Sequence, residues 1–145
     1  MTFFEFSKNA IGLVIKELSK AEKFIHIAVF QLHRKDIFKI LKNKLNDGVK
    51  IEIFTLPYDS IHAKNAEEIK NRYLDLKENG AVIHFCCWNV GDPSRTTTAV
   101  GQWYSFHGKF IITDKSAITM SANFTEQEEL DAVMIYNNKD KIEEF

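Results

Sequence analysis

The chain has 145 residues, 45% hydrophobic and 27% charged, with a formal net charge of -1. That is length for one domain with a real core and an ordinary globular composition. The near-zero charge excludes a bulk polyanion binder, so any nucleic-acid affinity must come from a local patch.

Met1-Thr2-Phe3-Phe4-Glu5 lacks the basic start and long apolar run of a secretory signal. No apolar run reaches membrane-spanning length. The adjacent Cys86-Cys87 cannot staple a small secreted fold and fit a reducing compartment. These features lead us to expect a cytoplasmic protein that does not use a membrane.

In chain order, Ser7 to Lys20 reads as an amphipathic helix, with Ile11, Val14, Ile15 and Leu18 on one stripe and Ser7 as N-cap. Lys23 to Phe30 is almost continuously apolar and suits a strand covered on both faces. Asp36 to Asn46 is a second helix, stopped by Gly48, and Val49 to Phe54 a second strand. Asn65 to Asn79 is a third helix, stopped by Gly80, and Ala81 to Trp88 a third strand. This alternation argues an α/β layer with parallel strands.

Asn89 to Trp103 is polar and turn-rich, an irregular stretch expected to form a substrate-facing rim. Phe110 to Thr113 and Ala117 to Met120 read as a hairpin turning at Lys115-Ser116. Thr125-Glu126-Gln127-Glu128 fits a capping box that starts a short helix, and Ala132 to Tyr136 is a last strand. Asp140 to Phe145 begins another helical pattern. It breaks off within about a turn, as in a domain cut from a longer chain.

The chemistry concentrates between the irregular stretch and the last strand. His107 and Lys109, two apart at the start of a strand, share a face. An imidazole can attack phosphorus or shuttle a proton, and a neighbouring ammonium holds anionic oxygens. Asn123 offers neutral N–H donors to the same oxygens.

His107, Lys109 and Asp114 spell H-x-K-x4-D, followed by Ser121-Ala122-Asn123 and the later acid Asp131. At these residues the chain resembles the phospholipase D superfamily. Two positions depart from its pattern: Met120 stands where a glycine usually precedes the serine, and Asp131 where glutamate is common. The resemblance implies an α/β half-domain, a mixed and mostly parallel sheet flanked by helices on both faces. It also implies a metal-independent phosphodiesterase without cofactor, working through a phosphohistidine on His107. Lys109, Asn123 and Ser121 would then serve the site, Asp131 would orient the histidine, and Asp114 would support local structure.

The family mechanism needs two copies of the motif, and this chain carries one. A homodimer with the site on its two-fold axis is the expected solution. The other is a second motif in a longer chain. A nuclease acting on DNA or RNA is favoured, with a DNA-binding or helicase domain expected C-terminal to residues 1–145. A cardiolipin-type phospholipid phosphodiesterase and a non-catalytic dimerisation or nucleic-acid-binding module are the alternatives.

Arg95 and Trp103 are secondary candidates for substrate contact, although a solvated loop arginine and a packed tryptophan explain them as well. His84, Cys86, Cys87 and His107 invite a zinc reading, but Cys87 points away from His84 and Cys86 on a strand and no C-x-x-C pair exists. We therefore expect no metal. His26, His33 and His62 have no motif partners and read as ordinary.

Overall fold

Two identical joints set the direction of the chain. After the second helix, Gly48 adopts φ +87 and after the third, Gly80 adopts φ +105, a backbone region that side chains with a Cβ avoid. At the first joint Val49 N–H donates to Lys44 O at 3.0 Å and Gly48 N–H to Leu45 O at 3.0 Å. At the second, Ala81 N–H donates to Leu76 O at 3.0 Å and Gly80 N–H to Lys77 O at 3.1 Å. Both satisfy the orphan carbonyls of a helix end in a Schellman motif and feed the chain straight into a strand.

The structure, a computed structural model, describes residues 2–6, 10–56, 63–85, 87–90, 102–105, 108–124 and 132–137, with the strands at 2–6, 87–90 and 102–105 described by backbone alone. The elements are β1 (Thr2–Phe6), α1 (Ala10–Lys20), β2 (Phe24–Val29), α2 (Lys35–Asn46), β3 (Lys50–Thr55) and α3 (Ala66–Glu78). Then follow β4 (Val82–Phe85), β5 (Cys87–Val90), β6 (Gln102–Ser105), β7 (Lys109–Thr113), β8 (Ala117–Met120) and β9 (Ala132–Tyr136).

Seven strands form one sheet in the order β1-β9-β8-β7-β2-β3-β4. The sheet is mixed, as expected, but its parallel part is limited to β2–β3 and β3–β4. The pairs β1–β9, β9–β8, β8–β7 and β7–β2 are antiparallel. The cause is connectivity: parallel neighbours need a helical crossover, and the β7–β8 return is a tight turn. In that turn Thr113 N–H donates to Ser116 O at 2.8 Å, and Thr113 Oγ1 accepts from Ser116 N–H at 2.9 Å.

Two further expectations change. Residues read as one strand over Ala81 to Trp88 divide into β4 in the main sheet and β5, which pairs antiparallel with β6 in a separate ribbon. The stretch Asn89 to Trp103 is thus strand at both ends. Thr2–Phe6, outside the sequence-based elements, is an edge strand on β9.

α1 packs on α2 and α2 on α3, so the described helices form one layer. Their buried residues Val14 and Leu18, Ile37 and Leu41, and Ile69 and Leu76 meet Ile25, Ile27, Ile51, Ile53, Ile111 and Ile135 of the sheet in one core. Each such side chain contributes about 1.5–3 kcal/mol on burial. The other sheet face carries Phe24, His26, Glu52, Phe54, Phe110 and Ile112, all half-buried. Phe54 stacks on His84 there, with ring centroids 4.5 Å apart. No helix among the described residues covers that face. The helices expected after Asn123 and from Asp140, and the Ser7 cap, lie outside the described residues.

The core reaches the loop after β2 through Tyr73 of α3, 2% exposed, whose hydroxyl donates to Leu32 O at 2.8 Å. Tyr73→Phe strands that buried carbonyl, and we expect it to cost about 1–2 kcal/mol. Urea unfolding of the two proteins checks this; equal midpoints would contradict it.

Candidate active site

A buried loop must find partners for its own backbone. Residues 30–34, which join β2 to α2, do so from four directions. Phe30 N–H donates to Gly108 O at 3.2 Å, and Phe30 O accepts from Thr55 Oγ1 at 3.2 Å. Leu32 O takes the Tyr73 hydroxyl and His33 O the Arg72 guanidinium, at 2.8 and 2.5 Å. Phe124 N–H donates to Gln31 O at 3.0 Å, and Phe124 O accepts from His33 and Arg34 N–H at 2.7 and 3.0 Å. Leu32 and Phe124 thereby form an isolated parallel bridge.

This clamp positions two of the motif residues. Gly108, between His107 and Lys109, is fixed by its carbonyl to the end of β2, and Lys109 pairs in register with Val29. Lys109 shares the sheet face of Ile111 and Thr113. Asn123 is buried, and its Oδ1 accepts from Gln31 N–H at 3.4 Å. Lys109 and Asn123 are therefore both tied to the same strand end, the carboxyl end of the parallel strands, where open α/β sheets place ligands.

Ser121 lies two residues before Asn123. Its N–H donates to Ala132 O at 3.1 Å and its Oγ accepts from Ala132 N–H at 3.2 Å, which fixes the segment directly after Asp131. His107, Asp131 and Arg95 lie outside the described residues, as does Cys86, and Trp103 belongs to β6 by its backbone.

Asp114 sits at the other end of β7. Its Oδ1 accepts from the backbone N–H of Glu22, Lys23 and Phe24 at 3.0, 3.0 and 3.4 Å, closing the turn between α1 and β2. Oδ2 is buried with no hydrogen-bond donor among the described residues, and Lys115 Nζ lies 3.8 Å from it. Burial works to raise this carboxyl's pKa, but the backbone N–H groups outweigh it and hold the pKa below the usual value.

The loop also carries residues that sequence reasoning left aside. His33, read as ordinary, is buried at 7% exposure beside the Phe124 clamp. Arg34 grips Asp36 with two hydrogen bonds of 3.0 and 2.8 Å. That side-chain hydrogen bonding, against the opposing effect of burial, holds the Asp36 carboxyl below its usual pKa. The available signal was position: both follow a buried strand at its carboxyl end.

Comparisons with known proteins give the family and the fold. Residues 14–145 match the family model described as cardiolipin synthase, PLD-like domain. The chain belongs to the phospholipase D superfamily. Nuc from Salmonella typhimurium, a phospholipase D family member, superposes with a TM-score of 0.74 at 20% identity, over 100% of this chain and 88% of that one. NucT from Helicobacter pylori gives 0.71 at 18% identity, over 99% and 89%. TrmBL2, an archaeal chromatin protein, gives 0.61 at 13% identity, over 99% of this chain and 48% of its own. No curated protein sequence matches. At these identities the structures establish a phospholipase D-like fold. Among the described residues no helix is long and apolar enough to cross a membrane.

Asp114 provides a test of stability. Its folded pKa lies below its unfolded value, so its contribution is present above about pH 4 and lost as pH falls through the folded pKa. Asp114→Ala should cost about 2 kcal/mol at pH 7, and the gap to the unmodified protein should shrink at pH 3. Urea unfolding at both pH values measures it; an equal gap at each would contradict the assignment.

Proposed function

We propose that the chain is a metal-independent phosphodiesterase that cleaves DNA or RNA at a site completed by a second copy. The observation that carries this reading is the anchoring of Lys109 and Asn123 to one strand end by the 30–34 clamp. Within a family that acts on phosphodiesters, an ammonium and an amide held at one place suit the oxygens of a single phosphoryl group.

In this mechanism an imidazole nitrogen of His107 attacks phosphorus while the bond to the leaving oxygen breaks. His107 of the second copy gives that oxygen its proton. It then takes a proton from water, which attacks phosphorus, breaks the P–N bond and restores the first imidazole. The two histidines must start in opposite protonation states. Asp131 orients His107 through its second ring nitrogen, and Ser121 keeps the Asn123 turn and the start of β9 together. Arg95 and Trp103 serve as outer substrate contacts. The chain acts as one catalytic domain, with nucleic-acid recognition aided by a further domain of a longer protein.

The family description, cardiolipin synthase, favours a second reading, phosphodiester chemistry on a phospholipid. The likeness to TrmBL2, an archaeal chromatin protein that shows a novel mode of DNA binding, supports a third, a DNA-binding module without catalysis.

A fluorescent single-stranded oligonucleotide, bis(p-nitrophenyl) phosphate and phosphatidylglycerol vesicles, each incubated with protein and EDTA, separate the three. We expect hydrolysis of the first two, unaffected by EDTA. His107→Ala should reduce it by about 10³-fold or more, and the pH profile should be bell-shaped. Loss of activity with EDTA, or turnover of the lipid alone, would contradict the nuclease reading.

A further inference from the structure

An open surface pocket of about 440 Å³ is lined by Arg34, Lys35, Asp36 and Lys39. It adjoins the candidate active site through the clamp: Arg34 N–H donates to the carbonyl of Phe124, the residue after Asn123, at 3.0 Å. Three of its four lining side chains are cations in a chain whose net charge is -1. The charge needed for a polyanion is thus concentrated locally rather than spread over the surface.

The cations are not equivalent. Arg34 is held by Asp36, with an ion-pair distance of 2.8 Å, which fixes its guanidinium and offsets its charge. Lys35 and Lys39 are exposed and have no carboxylate partner among the described residues. They stand one helical turn apart on α2, on the same side. The neighbouring lysine, Lys42, is instead paired with Asp75 at 2.8 Å. The remaining α2 lysine, Lys44, donates to Ala21 O at 3.0 Å, so Lys42 and Lys44 are both engaged by groups outside α2.

We infer that Lys35 and Lys39, with Arg34 as a fixed wall, bind a flanking phosphate of a nucleic-acid strand whose scissile phosphate sits at Lys109 and Asn123. This rests on the phosphodiesterase reading above and adds the polymeric nature of the substrate. A small diester has no second phosphate to place here, whereas a strand has one on each side of the cleavage point. The pair therefore governs polymer binding and leaves the chemical step untouched.

The test uses the full chain and its K35E/K39E variant, with folding checked by thermal unfolding. Binding of a fluorescein-labelled 12-mer single strand is followed by anisotropy between 50 and 300 mM salt. The variant should bind about tenfold more weakly, and its log K against log salt should be shallower by about 1.4, the slope of two single-strand phosphate contacts. Its kcat/KM on bis(p-nitrophenyl) phosphate should equal that of the unmodified protein.

Equal strand affinity and salt slope in the two proteins would overturn the inference, as would equal losses on strand and small diester. Weakened binding to phosphatidylglycerol vesicles with strand binding unchanged would overturn it in favour of a lipid surface. If neither protein hydrolyses anything but the anisotropy difference appears, the cation pair stands and the catalytic reading falls.

Discussion

The hydrogen bonds between residues 30–34 and Phe124 hold the candidate site together. A loop leaving the middle of a sheet would normally expose its backbone to water. Here the carbonyls of Phe30, Leu32 and His33 are taken by Thr55, Tyr73 and Arg72, and Phe124 takes the next groups in line. Each bond is worth about 1 kcal/mol net, and more if it is broken while its partner remains buried. The loop is therefore as well determined as the core beneath it. Gly108 and Asn123 both bond to it, so Lys109 inherits that precision through the backbone and Asn123 through its own side chain.

The two ends of β7 divide the work. At one end Lys109 joins the clamp, and at the other Asp114 ties three backbone N–H groups of the α1–β2 turn. That acidic anchor fixes where β2 begins, and the clamp fixes where it ends. A five-residue strand between them leaves little freedom for sliding. Register matters here, because a slip of one residue would turn Lys109 to the opposite face of the sheet.

Much of this was legible in the residues. The helical stripes, the glycines at 48 and 80 and the β7–β8 hairpin signal local geometry directly, because propensity and turn chemistry act over a few neighbours. Lys109, Asn123 and Asp114 stood out through the family resemblance carried by the motif. What failed depends on distant pairing. Thr2–Phe6 is aromatic-rich but short, and only β9 makes it a strand. The run from Ala81 to Trp88 is uniformly strand-like, and nothing local shows that β4 and β5 part company. The balance of parallel and antiparallel pairs follows from β7 inserting beside β2, a contact between residues far apart in the chain. The partners of loop 30–34 come from four separate stretches, at Thr55, Arg72 and Tyr73, Gly108, and Phe124, which no spacing pattern connects.

The central claim is that Lys109 and Asn123 serve one phosphoryl group together with His107. A crystal structure of the protein soaked with vanadate, a mimic of the five-coordinate phosphorus, tests it most directly. The account predicts one vanadate in hydrogen-bonding reach of the Lys109 ammonium, the Asn123 amide and the His107 imidazole, at a two-fold axis shared with a second copy. Vanadate bound elsewhere, or held by one of these side chains without the others, would contradict it.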